Sequence, residues 1–528
     1  MFKTEVLVIG GGATGAGIAR DLALRGAEVT LIEGSDFAFG ASGRCHGMLH
    51  SGARYAVTDP ISASECAIEN KILKRIADFC IEDTGGFFIG LPNDDECYPD
   101  LFMSACRKAG VDAIEISVNE AFKEEPLLSE NIVASIDVPD ASIDPFMLVL
   151  GNIESARSAG STALNYHLVR KFDVRESRIE KVYVENLRNG SIDEYRPEIV
   201  INATGAWANH IAALAGVSID LTMDKGSMVV LGRRFTHRLI NRLRKPSNGD
   251  IVVPNYSSSI IGTTSITVSS PTSTSVSEQE VDLLMREAAM MMPPINASRA
   301  IRAYAGIRPL VSRKGGDSRE ISRTFQLIDH SEKGIENLIS VIGGKLTTYR
   351  LMAEKVSDIV CSRLGISASC RTSLEPLSIP YGEMHNKMIG RGSPTVEIQT
   401  HENNGELRRD EVVCSCEKIK RQEVEFWASH PDVRGLSDVM RRTRAGMGYC
   451  QSGLCVFNLL TMLIEYSDTD PLYLLTEYLK EREKGIKPVL LKGQIVEEIF
   501  KECLLNGVYH ISDLAEALRN EENAEGRN

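Results

Sequence analysis

The sequence has little positive charge and no long hydrophobic run. Its 59 Lys and Arg residues stand against 72 Asp and Glu residues, which gives a net charge of −13. This balance argues against nucleic-acid binding and against adhesion to an anionic membrane, because both need clustered positive charge. The longest apolar stretch, around Leu454 to Ile464, is interrupted by Asn458 and Thr461. It is much shorter than the roughly 20 residues that span a bilayer, so membrane attachment would need a partner.

The amino terminus also lacks the charged segment and long apolar core of a secretion signal. We therefore expect a cytoplasmic protein. At 528 residues the chain is long enough for a multi-part enzyme, and its 43% hydrophobic and 25% charged residues are typical of a globular fold. In such a chain, closely spaced members of the 12 cysteines are expected to bind metal or carry out redox chemistry rather than form disulfides.

The first 24 residues carry a dinucleotide-binding pattern. Val6 to Ile9 reads as a buried parallel strand, and the G-x-G-x-x-G spacing of Gly10, Gly12 and Gly15 follows directly. These glycines allow a tight turn, close approach of a pyrophosphate to the backbone, and close packing of the helix that runs through Ala19 to Leu24. The amino terminus of that helix attracts phosphate.

The pattern continues into a complete βαβ unit. Gly26 ends the helix, Val29 to Ile32 forms the second strand, and Glu33 stands where an acidic side chain can accept hydrogen bonds from ribose hydroxyls. A plain glycine turn would not bring the strand, the helix and the acid with it. The unit predicts a dinucleotide site but does not distinguish FAD from NAD, because both share the adenosine diphosphate half.

Two later segments favour FAD. Val200 to Trp207 is a strand ending in Ala-Thr-Gly, a feature that recurs in flavoproteins with two dinucleotide-binding domains. Ile339 to Thr348 is a strand-to-helix turn whose amides could face the isoalloxazine ring. Either segment alone could be an ordinary glycine-marked strand end. Their wide separation suits a nucleotide domain that is interrupted by a substrate domain.

Four ordered motifs resemble the flavin-linked glycerol-3-phosphate dehydrogenases. They are His50 to Tyr55, Gly306 to Leu310, Ser322 with Arg323, and Gly343 to Lys345. The resemblance runs from the first strand to about residue 375, and Gly40 to Asp59 is similar to the catalytic chain of the anaerobic enzyme rather than to the aerobic single-chain form. It implies an α/β (α+β) flavoprotein fold of the D-amino-acid-oxidase type, with an inserted substrate domain and FAD held non-covalently.

The residues of these motifs suit a small phosphorylated alcohol. Glycerol 3-phosphate is a dianion, and Arg54, Arg308 and Arg323 are permanent cations with bidentate geometry for phosphate. A single arginine is more often a surface ion pair, but three in family-matched positions favour a phosphate site. An amine or amino-acid oxidase of the same superfamily is the main alternative, and it typically needs one arginine for a carboxylate.

Oxidation of the secondary alcohol also needs a base within hydrogen-bond reach. His50 is our candidate, although it could instead only shape the flavin pocket, with His46 nearby. Lys345 could stabilise the developing alkoxide or the reduced flavin, and Arg308 is counted with these catalytic residues. Tyr55 and Thr264 are predicted to orient the substrate through their hydroxyls, Thr264 on the resemblance alone.

The predicted FAD contacts combine the fingerprint with the matched loops. They are Gly10, Gly12, Gly15, Glu33, Ser42, Ala203, Gly205, Gly344, Lys345, Leu346 and Thr347. Cys45 lies in the flavin loop, but the resemblance implies non-covalent FAD, so we expect this cysteine only to pack.

Two close cysteine pairs follow the flavin region. Cys414 and Cys416 form a C-x-C pair, and Cys450 and Cys455 follow after 33 intervening residues. Four thiolates suffice for a [2Fe-2S] cluster, and the spacing resembles the bacterioferritin-associated-ferredoxin-like domain. Structural zinc is the alternative, but its cysteine pairs are usually separated by two to four residues. Nearby Arg441, Arg442 and Arg444 could tune the cluster or form a solvated helix face, and we assign them no role.

These patterns divide the chain into four parts. We expect a FAD-dependent oxidoreductase domain at 1–375, a linker at 376–410, a helical [2Fe-2S] domain at 411–468 and a helical extension at 469–528, where Leu472 to Leu479 and Gly493 to Phe500 look like amphipathic helices.

The predicted reaction is oxidation of sn-glycerol 3-phosphate to dihydroxyacetone phosphate, with hydride transfer to FAD and onward transfer through the cluster. The resemblance implies two partners, namely a second flavoprotein subunit plus a membrane-anchoring iron-sulfur subunit. It also implies electron delivery to the quinone pool, and hence peripheral association with the inner face of the cell membrane. A non-catalytic electron-transfer protein is a further alternative, opposed by the presence of His50, Arg54, Arg308, Arg323 and Lys345.

Overall fold

A computed structural model describes residues 2–311, 324–380, 411–453, 455–490, 493–503 and 507. The predicted linker at 381–410 and the substrate candidate Arg323 lie outside these ranges. Among the described residues, no helix is both long and apolar enough to cross a membrane.

The strands fall in two large and two small sheets. In chain order they are β1 (Phe2–Ile9), β2 (Val29–Ile32), β3 (Met48–Leu49), β4 (Ile81–Glu82), β5 (Gly86–Gly90), β6 (Ile114–Ile116), β7 (Ala134–Val138), β8 (Ala141–Ile143), β9 (Thr162–Leu164), β10 (His167–Arg175), β11 (Arg178–Asn186), β12 (Ile192–Asn202), β13 (Leu221–Leu231), β14 (Leu239–Arg242), β15 (Ile251–Asn255), β16 (Ser258–Gly262), β17 (Ile266–Val268), β18 (Ala300–Val311), β19 (Phe325–Asp329), β20 (Leu338–Gly343), β21 (Val412–Cys414) and β22 (Ile419–Lys420).

The helices pack on these sheets and make up most of the carboxyl-terminal module. They are α1 (Ala13–Leu24), α2 (Pro60–Ile76), α3 (Tyr98–Ala109), α4 (Val118–Glu124), α5 (Pro145–Ser158), α6 (Ala208–Ala213), α7 (Glu278–Met291), α8 (Tyr349–Leu364), α9 (Arg421–Ala428), α10 (Leu436–Thr443), α11 (Val456–Leu463), α12 (Pro471–Ile486) and α13 (Gly493–Glu502).

The first sheet positions the nucleotide site. Its parallel strands lie in the order β20-β12-β1-β2-β9, with β19 antiparallel to β20. The apolar residues of β1 and β2 are buried on both faces, as parallel strands between helix layers require. Helices α1, α5 and α8 cover one face. The carboxyl ends of β1, β12 and β20 therefore meet at one edge of the sheet, where an α/β fold binds its ligand.

The second sheet forms the inserted part. Its order is β17-β13-β16-β15-β14-β5-β7-β6, and β18 also pairs with β13 along almost its whole length. Helix α7 packs its apolar face on this sheet, and a capping box at Ser277 and Glu280 begins the helix. Most pairs of the sheet are antiparallel, and such a sheet can pack on a helix layer from one face only, as this one does on α7.

The carboxyl-terminal module has its own apolar core. The β21–β22 hairpin and helices α9 to α12 bury residues that include Val424, Val439, Leu459 and Leu475. The two helices predicted at Leu472 and Gly493 are present as α12 and α13.

Candidate active site

The glycine turn after β1 is tight enough to admit only glycine at two positions. Gly10 has a φ of +111°, and a Cβ there would lie 2.6 Å from the Ala203 carbonyl oxygen. A Cβ on Gly15 would lie 1.9 Å from the carbonyl oxygen of Gly10. The turn therefore brings the amino terminus of α1 against the ends of β1 and β12, which is the geometry a dinucleotide pyrophosphate requires.

Glu33 is held in this turn by backbone amides. Its Oε2 accepts from Gly11 N at 2.7 Å, and its Oε1 accepts from Ser35 N at 2.8 Å. Burial raises the pKa of Glu33, and these amide hydrogen bonds oppose the rise. The Ser42 hydroxyl accepts from the amide of Ala13 at 3.0 Å and so satisfies one free N–H of the helix start.

One cavity of about 1440 Å³ joins this turn to the inserted sheet. Most predicted site residues line it together, namely Gly10, Gly12, Glu33, Ser42, His50, Arg54, Tyr55, Ala203, Gly205, Thr264, Arg308, Gly344, Lys345 and Leu346. Gly15 and Thr347 lie just behind the lining: Gly15 packs on the turn, and Thr347 Oγ1 accepts from His50 N at 3.1 Å. The volume and the glycine turn fit an extended dinucleotide such as FAD.

Arg308 enters the cavity from β18 and is fixed by its neighbours. Its Nη1 lies 2.6 Å from Asp224 Oδ2, and its Nη2 donates to Thr263 Oγ1 at 2.6 Å. Asp224 is opposite Arg308 in the β13–β18 register, and its side chain is fully buried. About 30% of the Arg308 side chain remains exposed, which leaves it able to bind an anion.

Arg54 has a similar support. Its Nη2 lies 3.4 Å from Asp250 Oδ2 and 3.5 Å from the Ser247 carbonyl oxygen. Asp250 is fully buried and also binds Arg244 at 2.7 Å. Arg54 and Arg308 are thus each oriented by a buried carboxylate.

His50 lines the same cavity as these cations. Burial lowers the pKa of His50 well below its ordinary value, and the charges of His46, Arg54 and Lys345 lower it further. The ring is therefore neutral at physiological pH. Its Nε2 lies 3.5 Å from the Tyr55 hydroxyl, whereas Nδ1 is buried and has no hydrogen-bond partner among the described residues.

Lys345, His46 and Cys45 are neighbours of His50 in this cavity. Lys345 Nζ lies 4.6 Å from the centre of the Tyr55 ring, within cation–π distance. Burial, and then the charges of Arg308 and Arg54, lower the pKa of His46 to about 3. Burial raises the pKa of Cys45 to about 11, which keeps this thiol protonated at neutral pH, and its packing role stays a prediction.

The Thr264 hydroxyl, which is predicted to orient the substrate, forms hydrogen bonds within the protein. Its hydroxyl oxygen accepts from Ser227 N at 2.9 Å and lies 3.3 Å from Glu280 Oε1. Its carbonyl accepts from Arg308 at 3.2 Å. A substrate contact of Thr264 stays a prediction, and the structure points to Thr263 as the hydroxyl bound to Arg308.

Sequence reasoning missed three residues of the site: Asp224, Asp250 and Thr263. The two acids give no local signal, because Asp224 is 84 residues and Asp250 is 196 residues from the arginine it supports. Thr263 stands beside Thr264, and this adjacency was the only available signal.

The four candidate metal ligands form two pairs. Cys414 hydrogen-bonds to Cys455, and Cys416 to Cys450, with Cys414 and Cys455 more buried than the other pair. This hydrogen bond from Cys455 lowers the pKa of Cys414 to about 6. Among the described residues, no three of these sulfurs lie mutually within 4.8 Å. Tetrahedral zinc draws all four sulfurs together, whereas two irons take two pairs, so the arrangement fits a [2Fe-2S] cluster.

Two family models match the chain. The FAD dependent oxidoreductase model matches residues 5–358, and the BFD-like [2Fe-2S] binding domain model matches residues 412–465. One subunit of the anaerobic glycerol-3-phosphate dehydrogenase of Escherichia coli K12 is 39% identical over 96% of this chain and 97% of its own length. Its counterpart from Haloferax volcanii is 37% identical over 95% and 89%.

The chain belongs to the family of these dehydrogenase subunits. It is a FAD-dependent oxidoreductase, and its cofactors are FAD and a [2Fe-2S] cluster.

Solved structures agree on the fold of this family member. The glycerol-3-phosphate dehydrogenase from Bacillus halodurans complexed with FAD has a TM-score of 0.66 at 20% identity, over 93% of this chain and 96% of that one. Glycine oxidase from Geobacillus kaustophilus has a TM-score of 0.55 at 22% identity, over 72% and 99%. The D-amino-acid-oxidase-like fold class predicted from the sequence is confirmed.

Proposed function

We propose that the chain oxidises sn-glycerol 3-phosphate to dihydroxyacetone phosphate and sends the electrons through its cluster to partner subunits. The observation that carries this proposal is that Arg54, Arg308 and Lys345 line the same cavity as the neutral His50. A phosphate dianion and a base for the adjacent alcohol need this combination. The names of the full-length relatives support the same substrate.

The arginines bind the phosphate. Asp224 and Asp250 fix the guanidinium groups in place before substrate arrives, so less side-chain freedom is lost on binding. Each carboxylate accepts from part of the donor set of its arginine, and about 30% of the Arg308 side chain stays exposed. Arg323 is proposed as a third phosphate ligand on the motif resemblance alone.

His50 accepts the proton of the C2 hydroxyl. Nδ1 is buried, so Nε2 is the nitrogen that can receive a substrate proton. The substrate hydroxyl would then replace the Tyr55 hydroxyl, which lies 3.5 Å from Nε2. The low pKa of His50 keeps the ring neutral before the reaction, and Nε2 can accept a proton in the tautomer that carries its hydrogen on Nδ1. Lys345 stabilises the negative charge that develops on the substrate oxygen.

Bound FAD supplies a hydride acceptor, and the [2Fe-2S] cluster supplies a one-electron carrier. The residues proposed to hold FAD are the turn at Gly10 to Gly15, Glu33, Ser42 and the loop Gly344 to Thr347, and the cluster ligands are the four cysteines described above. The boundaries at 375, 410 and 468 are proposed as the limits of the functional parts.

The similar proteins from Escherichia coli and Haemophilus influenzae are each named as one lettered subunit of the anaerobic enzyme, which implies further subunits. We propose two partners for this chain, a second flavoprotein subunit plus a membrane-anchoring iron-sulfur subunit, with the quinone pool as the final acceptor. The chain itself would then sit at the inner face of the cell membrane through these partners.

The proposed activity is tested by mixing the purified holoprotein anaerobically with glycerol 3-phosphate and following flavin absorbance. We expect bleaching with glycerol 3-phosphate and none with glycine, which serves as the control because a glycine oxidase shares the fold. Bleaching by glycine alone would replace the proposed substrate with an amino acid.

A further inference from the structure

The arginine run at the end of α10 binds an acid of the nucleotide-binding part. Asp36 Oδ1 accepts from Arg442 Nη2 at 2.7 Å, and Oδ2 accepts from Arg442 Nη1 at 2.7 Å and from Arg441 Nε at 2.8 Å. The side chains of Asp36 and Arg442 are each only 1% exposed. One carboxylate is therefore saturated by two cations from the cluster module.

Two further side chains complete this arrangement. Arg441 Nη2 lies 2.5 Å from Asp438 Oδ1, and the Tyr166 hydroxyl donates to Asp438 at 2.7 Å. Burial alone would raise the pKa of Asp36, but the charges of Arg442 and Arg441 outweigh it and hold the pKa below its ordinary range. Two anions thus balance two cations in the interface. We call Asp36, Tyr166, Asp438, Arg441 and Arg442 the interdomain network.

Further contacts join the module to the nucleotide-binding part and to the inserted sheet, where Tyr256 lies between β15 and β16. Arg157 pairs with Asp432 through two bonds of 2.8 and 2.9 Å. Arg444 stacks 3.6 Å from the centre of the Tyr256 ring. Trp427 of α9 belongs to the apolar core that includes strands β1 and β2 and helix α1. Apolar burial therefore stabilises the contact between the two parts, and the ion pairs fix their relative position.

The interdomain network also connects the two cofactor regions. Asp36 lies three residues after Glu33, which binds the glycine turn of the nucleotide site. At the other end, Gly446 N lies 3.4 Å from Cys414 Sγ, and Arg444 lies 3.5 Å from Glu417, the neighbour of Cys416. A shift of α10 against Asp36 would therefore move the cysteine loops relative to the nucleotide turn.

We infer that Asp36, Arg441 and Arg442 are positioning residues for electron transfer, which fix the cluster module in one register on the FAD-binding part. A buried ion pair adds little net stability, but any other register would leave a buried charge unpaired. Oxidation of the alcohol releases two electrons, and a [2Fe-2S] cluster carries one at a time. A bound cluster would pass these two electrons singly to the partner redox protein, so the same interface would be used twice in each turnover.

The test uses the full-length holoprotein with Asp36→Asn, Arg442→Gln and the double variant. Asp21→Asn is the matched control, because Asp21 and Arg25 form an equally buried pair, 2.8 Å apart, within the FAD-binding part. Flavin reduction by glycerol 3-phosphate is followed by absorbance, and cluster reduction by paramagnetic resonance of freeze-quenched samples. Hydrogen exchange at residues 436–443 reports on the interface itself.

We expect Asp36→Asn to leave flavin reduction unchanged, to slow cluster reduction by about tenfold to hundredfold, and to speed exchange at 436–443. Cluster reduction in the double variant should be no slower than in the slower single variant, because both substitutions remove the same Asp36–Arg442 interaction. Asp21→Asn should change neither readout. Faster exchange with cluster reduction at the parent rate would overturn the inference, and so would unchanged exchange.

The inference rests on the proposed function only for the source of electrons. If glycerol 3-phosphate fails to reduce the flavin, the proposed function fails, and photochemical reduction of the flavin then supplies electrons for the same comparison. If Asp36→Asn is isolated without cofactors, Asp36→Glu keeps the charge, and it should show a smaller version of the same slowing. Parent-rate cluster reduction in Asp36→Glu, with faster exchange, would count against the inference.

Discussion

The cavity arginines differ from ordinary surface arginines in what holds them. Asp224 faces Arg308 across the β13–β18 register, and Asp250 is shared between Arg54 and Arg244. A buried carboxylate that lost its arginine would be left unpaired, so each pair is fixed as a unit. The guanidinium groups are therefore in position before an anion binds.

Replacing Arg308 by alanine should raise KM for glycerol 3-phosphate about 10- to 100-fold, since it removes charged hydrogen bonds to the phosphate. FAD content should stay at the parent level, because the nucleotide turn lies on another strand. Steady-state kinetics with an artificial acceptor measures the change. Arg234→Ala is the control, since Arg234 pairs with Glu82 and does not line the cavity. An unchanged KM in Arg308→Ala would remove this residue from the phosphate site.

The His50→Asn variant should slow flavin bleaching by substrate about 10²- to 10⁴-fold, the usual cost of losing a general base. Asparagine keeps a polar group in the buried position but cannot accept the proton. Anaerobic stopped-flow absorbance gives the rate. The bleaching rate of His46→Asn is the comparison, because His46 is adjacent and its ring centre lies 5.8 Å from that of His50. Equal slowing in both variants would argue for a shared packing effect.

The depressed pKa of His46 makes the fold acid-sensitive. In the unfolded chain this histidine takes up a proton near its ordinary pKa of about 6.5, whereas in the folded chain its pKa is about 3. The neutral form therefore stabilises the fold above pH 6.5, and this contribution is lost as pH falls from 6.5 toward 3. We expect His46→Asn to lose less stability than the parent between pH 7 and pH 5, by on the order of 1 kcal/mol. Urea unfolding at both pH values measures it, and parallel losses would contradict the assignment.

At the scale of elements, the sequence predicts the bounds of a strand correctly where residues adjacent in the chain determine them. Strand β2 has the predicted bounds, Val29 to Ile32, because Gly26 ends the preceding helix and Glu33 begins the next turn. Strand β12 begins at Ile192, eight residues before the predicted Val200. Its first half pairs with β11, a partner that only the folded sheet identifies, so polar Asp193 and Glu194 gave no sign of it.

The same distinction holds for the site. The glycine turn, the arginines and the cysteine pairs carry motifs, and the structure brings all the described ones to the cavity or the module. Asp224, Asp250 and Asp36 were not predicted, because each acts through a partner on another element. Arg441 and Arg442 had been noted without a role, and only their contact with Asp36 indicates one.

The cluster module should be separable from substrate oxidation. Replacing both Cys450 and Cys455 by serine removes one ligand from each sulfur pair, so the cluster cannot be held. We expect no paramagnetic signal from a cluster. Electron delivery to an external acceptor that receives its electrons through the cluster should also be lost. Flavin bleaching by glycerol 3-phosphate should continue. The variant Cys97→Ser is the control, since Cys97 is an exposed cysteine outside the module. Bound zinc without iron in the anaerobically purified parent would refute the relay.

At the scale of the whole molecule, the buried Trp427 and an ion-pair network join the two cofactor-binding parts, each of which also has its own core. Trp427 packs among residues of the nucleotide-binding part, and Arg442 lies 5.6 Å from its ring centre. A module that moved freely as an electron carrier would bury its apolar residues within its own core. The buried Trp427 and the buried Asp36–Arg442 pair instead imply that the FAD-binding part and the module unfold together.

The chain has two tryptophans, and they report on the two regions separately. Trp207 lines the cavity, whereas Trp427 lies in the interface and is 4% exposed. In Trp207→Phe and Trp427→Phe variants, we expect the remaining tryptophan to lose its emission at the same rate after mixing into concentrated urea, because the interface must open for either part to unfold. Adding Asp36→Asn should make the Trp427 signal change first, since the module can then separate before the nucleotide sheet unfolds. Different rates in the variants that keep Asp36 would mean that the module unfolds independently and that its contacts with the FAD-binding part are too weak to hold a register.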